Sequence, residues 1–195
     1  SPFNANYLYA GTSDGNVWST LNGSTWSNMT MNLPNRYVTS VHASPNQEAT
    51  VYVTHSGYKS SEYIPHVHKS LNNGQQWIDI SGDLPQWAVN DLLVVPGNED
   101  KLFVATDGGV YYTINGGVNW NRLGANMPIL AVYDIELNTS NSNLIAGTFA
   151  RSIWTIDINE ITGLEGAVSR INLQLFPNPV NDLLQITMPV SGQSH

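Results

Sequence analysis

Carboxylates and imidazoles at recurring spacings are the first candidates for chemistry in this chain. Asp14 (Thr12-Ser13-Asp14-Gly15) and Asp107 (Thr106-Asp107-Gly108-Gly109) stand in matching turn sequences. Asp91 and Asp134 stand in matching apolar runs, Val89-Asn90-Asp91-Leu92 and Val132-Tyr133-Asp134-Ile135. Two acidic side chains facing across a cleft hydrolyse a glycosidic bond, and the inverting route needs roughly 6.5–9.5 Å between them to admit a water. A catalytic pair breaks the symmetry of a repeat, whereas a turn cap obeys it. The recurrence of these four therefore favours structure, and no catalytic residue is assigned. His66-Val67-His68 places two imidazoles on one strand face, since alternate residues share a face. His55 ends the preceding run, and three imidazoles suit zinc. No obvious supporting carboxylate stands nearby. The expectation is a partly exposed strand with hydrogen-bonded histidines, and neither a metal nor a cofactor is assigned.

Aromatic residues are the third candidate. Trp18, Tyr58, Tyr63, Trp87 and Tyr111 fall in or near loops and strand ends, where rings stack on sugars or line a protein-binding groove. The segment 57–65 (GYKSSEYIP) is an insertion into the repeat described below, and long loops are where contact surfaces concentrate. Tyr58, Tyr63 and Trp87 are the expected ligand contacts. Trp26, Trp77 and Trp120 are expected in the core.

The elements that would position these residues repeat. Ser70-Leu71-Asn72-Asn73-Gly74-Gln75-Gln76-Trp77 and Thr113-Ile114-Asn115-Gly116-Gly117-Val118-Asn119-Trp120 share one pattern, S/T-x-N-x-G-x-x-W. Hydroxyl and amide can hydrogen-bond backbone groups across a tight loop. Glycine supplies a positive φ that other residues resist. A degenerate copy runs over 19–26, unless its loop is one residue shorter and Asn22 takes the polar role. Upstream of each turn, VHASPNQEATVYVT (41–54), LVVPGNEDKLFVAT (93–106) and IELNTSNSNLIAGT (135–148) each pair two apolar runs around a polar turn. A period of about 40–50 residues with four strands per unit marks a propeller blade. Strands are expected near 6–12, 15–20 and 25–28; 37–44, 50–55, 66–70 and 76–80; 88–95, 101–106, 109–113 and 119–123; 131–137, 143–148 and 152–158.

The turns resemble the Asp-box of sialidase-like, xyloglucanase-like and sortilin-like β-propellers (BNR repeats), with Asn in the Asp position. The resemblance assigns Ser70, Asn72, Gly74, Trp77, Thr113, Asn115, Gly117 and Trp120 to structural turns. AGTFARSIW at 146–154 resembles the end of a final blade, whose missing outer strand often comes from the N-terminal region of the ring. The implied fold is all-β: an arc of about three and a half four-stranded blades, the C-terminal part of a larger propeller. A small self-contained β protein is the alternative. Some Asp-box propellers, xyloglucanases among them, cleave polysaccharides. The Arg triad of a sialidase cannot be assembled from Arg36, Arg122, Arg151 and Arg170, the last of which lies in a linker.

After Ile158 the strand pattern breaks, and 159–170 (NEITGLEGAVSR) reads as a linker. FPNPVNDLLQI at 176–186 follows. It resembles the opening of the C-terminal sorting domain (type A) of the type IX secretion system of Bacteroidetes-type bacteria. The motif residues are Phe176, Pro177, Asn178, Pro179, Leu184 and Ile186. The resemblance implies the opening strands of a small β-sandwich over 171–195 and export by that machinery. The family domain continues beyond where this chain stops, so this copy is expected to be truncated and not competent for export as it stands.

Composition bounds the partners. The 195 residues carry a net charge of −8 with only 7 Lys+Arg, against nucleic acid, whose binding rests on clustered cations. Charged residues make up 11%, against about 25% in a typical chain. No apolar run approaches the roughly 18 residues of a membrane span. With no cysteine, disulfides and thiolate metal sites are excluded. The N-terminus shows no signal peptide and no initiator Met, as expected if a signal was lost with missing blades. The expectation is a secreted or outer-membrane surface-attached module with a non-catalytic binding or scaffold role. Its expected partners are the remainder of the propeller or another subunit, the type IX machinery, and a polysaccharide or surface protein. The alternatives are a fragment of a glycoside hydrolase-like propeller enzyme acting on polysaccharide, and an adhesin or assembly factor.

Overall fold

A computed structural model of the chain describes residues 1–124 and 126–161 together with the strand pairs 175–176 and 185–186. Fourteen strands of the first unit form four antiparallel sheets. β1 (Leu8–Gly11), β2 (Val17–Thr20) and β3 (Ser27–Asn28) make a three-stranded sheet. β4 (Tyr37–Ala43), β5 (Val51–Ser56), β6 (His66–Ser70) and β7 (Ile78–Asp79) make a four-stranded one. The third sheet holds β8 (Val89–Val95), β9 (Asn98–Thr106), β10 (Gly109–Thr113) and β11 (Asn121–Arg122). The fourth holds β12 (Val132–Asn138), β13 (Asn143–Thr148) and β14 (Ile153–Asp157). Strand order follows chain order in every sheet, as short turns between successive antiparallel strands require.

Each expected strand has its counterpart, and the outermost ones shorten to two residues. The second unit, 162–195, contains β15 (Leu175–Phe176) paired antiparallel with β16 (Gln185–Ile186), Leu175 opposite Ile186. Phe176 and Ile186 of the tail motif thus lie on paired strands, while Pro177, Asn178, Pro179 and Leu184 fall outside the described residues, as does most of the linker.

Three apolar clusters fill the spaces between successive sheets. Val17, Leu33, Val51, Val53 and Trp77 fill the first, and Val67, Ile80, Leu84, Leu102, Val104 and Trp120 the second. Leu93, Phe103, Val110, Tyr112, Leu123, Leu144 and Ala146 fill the third. Residues 102–105 of β9 and 110–112 of β10 are buried on both faces because a sheet packs on each side of them.

The recurring turns close by one set of bonds. Ser70 Oγ donates to Asn72 Oδ1 (2.9 Å) and accepts from Gly74 N (2.8 Å), and Asn72 Oδ1 accepts from Gln76 N (2.9 Å). Thr113, Asn115, Gly117 and Asn119 reproduce the set at 2.8, 3.1 and 3.0 Å. Gly74 and Gly117 have φ of +89° and +95°, and a Cβ on Gly117 would meet Ile80 O of the preceding sheet at 2.5 Å. In the degenerate copy Asn22 does take the polar role, accepting from Ser24 N and Thr25 N, with Thr20 as its hydroxyl.

Trp77 and Trp120 are buried, and each indole N–H reaches back to the preceding sheet: Trp77 Nε1 to Met29 O (2.7 Å), Trp120 Nε1 to Ile80 O (3.1 Å). Trp26 departs from expectation. It remains 42% exposed, because no sheet among the described residues stands before the first to receive it.

Candidate ligand-binding cleft

β8 lies between β4 and β12, and these three first strands share an irregularity. The register shifts between Val38 and Ser40, between Val89 and Asp91, and between Val132 and Asp134. The extra residues are Thr39, Asn90 and Tyr133. A bulge re-aims the side chain it inserts. All three line one cleft of about 320 Å³, with Tyr37 of β4, Ser56 at the end of β5, Tyr58 and Lys59 of the inserted loop, and Asp107 of the β9–β10 turn.

Two of the bulged residues also tie sheets together. Thr39 Oγ1 donates to Val89 O (2.9 Å) and shares a 2.7 Å hydrogen bond with Thr54 Oγ1. Asn90 Nδ2 donates to Val132 O and to Asp107 Oδ1, both at 2.9 Å. Tyr133 is instead exposed, edge-on to Phe149 at 6.1 Å between ring centroids. Lys59 Nζ stands 4.9 Å from the Tyr37 ring centre, within cation–π range.

The inserted loop is short, curled and anchored. Tyr58–Ser60 form one 3₁₀ turn that ends with Ser61 in the left-handed region, and Glu62 N returns to Gly57 O (3.1 Å). Glu62 then pins the loop through Arg36 Nε and through His66 Nε2 (2.9 Å). Desolvation raises its pKa, but the hydrogen bonds from Arg36 and His66 outweigh that and hold it below the usual value. Glu62 is the supporting carboxylate that the sequence reading did not find.

The histidines sit differently from expectation. His55 is fully buried, and neither ring nitrogen meets a hydrogen-bond partner among the described residues; nor does His68 Nδ1. His68 lies edge-on to His55 at 5.9 Å and stacks on His66 at 6.5 Å. Burial, with the two neighbouring imidazoles adding to it, lowers the His55 pKa to about 3. Burial also lowers that of His68, against the opposing effect of Asp79. Among the described residues no group of three or more His, Asp or Glu is arranged to hold a metal ion.

The acidic candidates do not converge. Asp107 is the one carboxylate lining the cleft. Asp14 is exposed and caps its own turn, its pKa lowered first by the hydroxyl of Thr12 and then by Asn16. Asp91 Oδ2 accepts Ile135 N of the next sheet (3.1 Å), and Asp134 lies exposed on β12. Of the expected contact aromatics, Tyr58 lines the cleft and Tyr63 lies edge-on to it at 6.3 Å. Trp87 is half-buried against the second core cluster, where a Cβ on Gly108 would come within 2.4 Å of its Nε1. Tyr111 is buried and not a surface contact, while Trp18 is half-buried within β2.

The sequence reading missed Tyr37, Thr39, Asn90 and Tyr133. The only sequence cue was the repeat itself: each bulged residue follows a valine (Val38, Val89, Val132) at equivalent positions, with Asp91 and Asp134 aligned just beyond two of them.

No protein-family model matches the chain, and no curated protein matches it. Solved structures do. An ancestral GH74 enzyme superposes with a TM-score of 0.61 at 20% identity, over 74% of this chain and 20% of that one. The GH74 xyloglucanase from Xanthomonas campestris gives 0.62 at 16%, over 80% and 28%. YCF48 bound to D1 peptide gives 0.59 at 18%, over 79% and 48%. The fold is a partial β-propeller. Its sheets are blades, and the cleft lies where the first strands of three of them adjoin. The arc spans from about a fifth to about a half of the length of these proteins.

Proposed function

We propose that this propeller arc is a non-catalytic binding module of a secreted or surface-attached bacterial protein, and that its cleft takes a neutral polysaccharide. One observation carries the reading. Three bulged first strands direct side chains into a cleft with exposed tyrosines (Tyr37, Tyr58, Tyr133), an ammonium and a single carboxylate. Tyrosine rings offer flat apolar faces to sugar rings, with hydroxyl and amide groups beside them for hydrogen bonds. Acid–base cleavage of a glycosidic bond calls for two carboxylates. The recurring turns fit the Asp-box reading, and the Phe176–Ile186 motif supports export by a type IX system through interaction with its machinery.

The test is a binding panel of soluble neutral polysaccharides, xyloglucan included, against the native protein and its Tyr58→Ala and Tyr133→Ala variants. Saturable binding weakened by both substitutions supports the reading; no binding across the panel refutes it. The similarity to GH74 enzymes favours a second reading, a piece of a polysaccharide-cleaving propeller whose other acid lies outside these residues. Release of reducing ends that Asp107→Asn abolishes would establish it in place of the first.

A further inference from the structure

We propose, resting on the reading of the cleft as a polysaccharide site, that it selects glycan edges bearing free hydroxyls and rejects the same edges as ethers. The side chains of Thr39, Asn90 and Asp107 meet the ligand as hydrogen-bond acceptors and have no hydrogen left to donate. These three are half-buried in the cleft, while Tyr37, Tyr58, Lys59 and Tyr133 around them are exposed.

Counting hydrogens shows what each can offer. A threonine hydroxyl has one. Thr39 Oγ1 gives it to Val89 O (2.9 Å), so in its 2.7 Å bond with Thr54 Oγ1 it is the acceptor. An asparagine amide has two. Asn90 Nδ2 gives one to Val132 O and the other to Asp107 Oδ1, both at 2.9 Å. Both partners are oxygens without a hydrogen, which settles which end of the amide is nitrogen. The Asp107 carboxylate has no hydrogen to give. Among the described residues nothing donates to Asn90 Oδ1 or to Asp107 Oδ2.

The bulges account for this one-sidedness. They turn Thr39 and Asn90 into the cleft, yet both spend their hydrogens on carbonyls of the next blade. Lone pairs are what they have left for a ligand. Donors stand around them instead: Lys59 Nζ, the tyrosine hydroxyls, and Ser56 Oγ, which accepts Tyr58 N (3.3 Å) and keeps its own hydrogen.

A sugar hydroxyl donates and accepts, whereas an ether oxygen only accepts. An ether set against Thr39, Asn90 and Asp107 strips water from their oxygens and returns no hydrogen bond, which is the costly case. The ligand therefore lies with its hydroxyl-rich edge on these three side chains and its substituted positions toward Lys59 and the tyrosines.

The probes are soluble xyloglucan, mixed-linkage glucan and galactomannan, each beside a heavily O-methylated sample of matched chain length, titrated calorimetrically against the native protein. The methylated form of a polysaccharide that binds should be about tenfold weaker or worse. Asp107→Asn then separates hydrogen bonding from bulk. The oxygen facing Asn90 keeps its bond, and the other oxygen becomes an N–H that an ether can accept from. The ratio of the two affinities should shrink about threefold or more in that variant, with its thermal transition retained. Equal affinity of the native protein for both forms overturns the proposal and leaves the cleft a polysaccharide site. An undiminished ratio in the folded variant also overturns it, by making methyl bulk the cause. No binding of any unmethylated probe overturns the polysaccharide reading and this proposal with it.

Discussion

Acidification should destabilise this arc through one residue more than any other. His55 is fully buried with both ring nitrogens unpartnered among the described residues, and its pKa falls from 6.5 to about 3, first by desolvation and then by His68 and His66. The unfolded chain takes up a proton on this side chain below 6.5, and the folded chain does not until about 3. Stability therefore falls as pH drops through that window, at up to about 1.4 kcal/mol per pH unit. With those two pKa values, moving from pH 7 to pH 5 costs about 2 kcal/mol from His55 alone. Urea denaturation at closely spaced pH values, comparing the protein with a His55→Leu variant, measures it. The variant should be flatter between pH 6.5 and 5 by about that amount, and not less stable at pH 7 than loss of packing explains. Equal pH dependence in the two proteins would refute the reasoning, and would mean that His55 finds a proton acceptor in the folded state.

Two further outcomes follow from the same contacts. Trp120→Ala removes a buried ring and its bond to Ile80 O, and should cost about 3–5 kcal/mol in chemical denaturation; a cost below 1 kcal/mol would show that the second and third blades do not depend on it. Glu62→Gln removes the charge that holds Arg36 and His66, so limited proteolysis should cut within 57–65 several times faster while global stability changes little.

The strand layout was legible because this fold writes itself repeatedly. Asn-Gly turns, alternating runs and a recurring tryptophan give several readings of one unit, so an error in one copy is corrected by the others. The cleft was less legible because bulges leave no local mark. Thr39, Asn90 and Tyr133 look like ordinary strand residues, and only the pairing across to β5, β9 and β13 shows that each is extra. Trp26 was misplaced for a related reason: the turn motif predicts where an indole points, while its burial depends on the neighbouring sheet that must receive it. The sequence points to hydrogen-bonded histidines on a partly exposed strand, whereas His55 is fully buried and without a partner among the described residues. Its described neighbours are the imidazoles of His66 and His68 on the adjacent strand β6, and neither supplies it with a hydrogen bond.

The ties between blades run in opposite senses at their two ends. At the bulges of the first strands the side-chain donor belongs to the earlier blade, as in Thr39 to Val89 O and Asn90 to Val132 O. At the outer strands the donor belongs to the later blade, as in Trp77 to Met29 O and Trp120 to Ile80 O. The junction of the second and third blades thus carries a bolt and a keeper from each side. An inserted or deleted copy would meet matching fittings on either side, so a gene lengthening or shortening by whole repeats could change the size of the ring without redesigning a single joint.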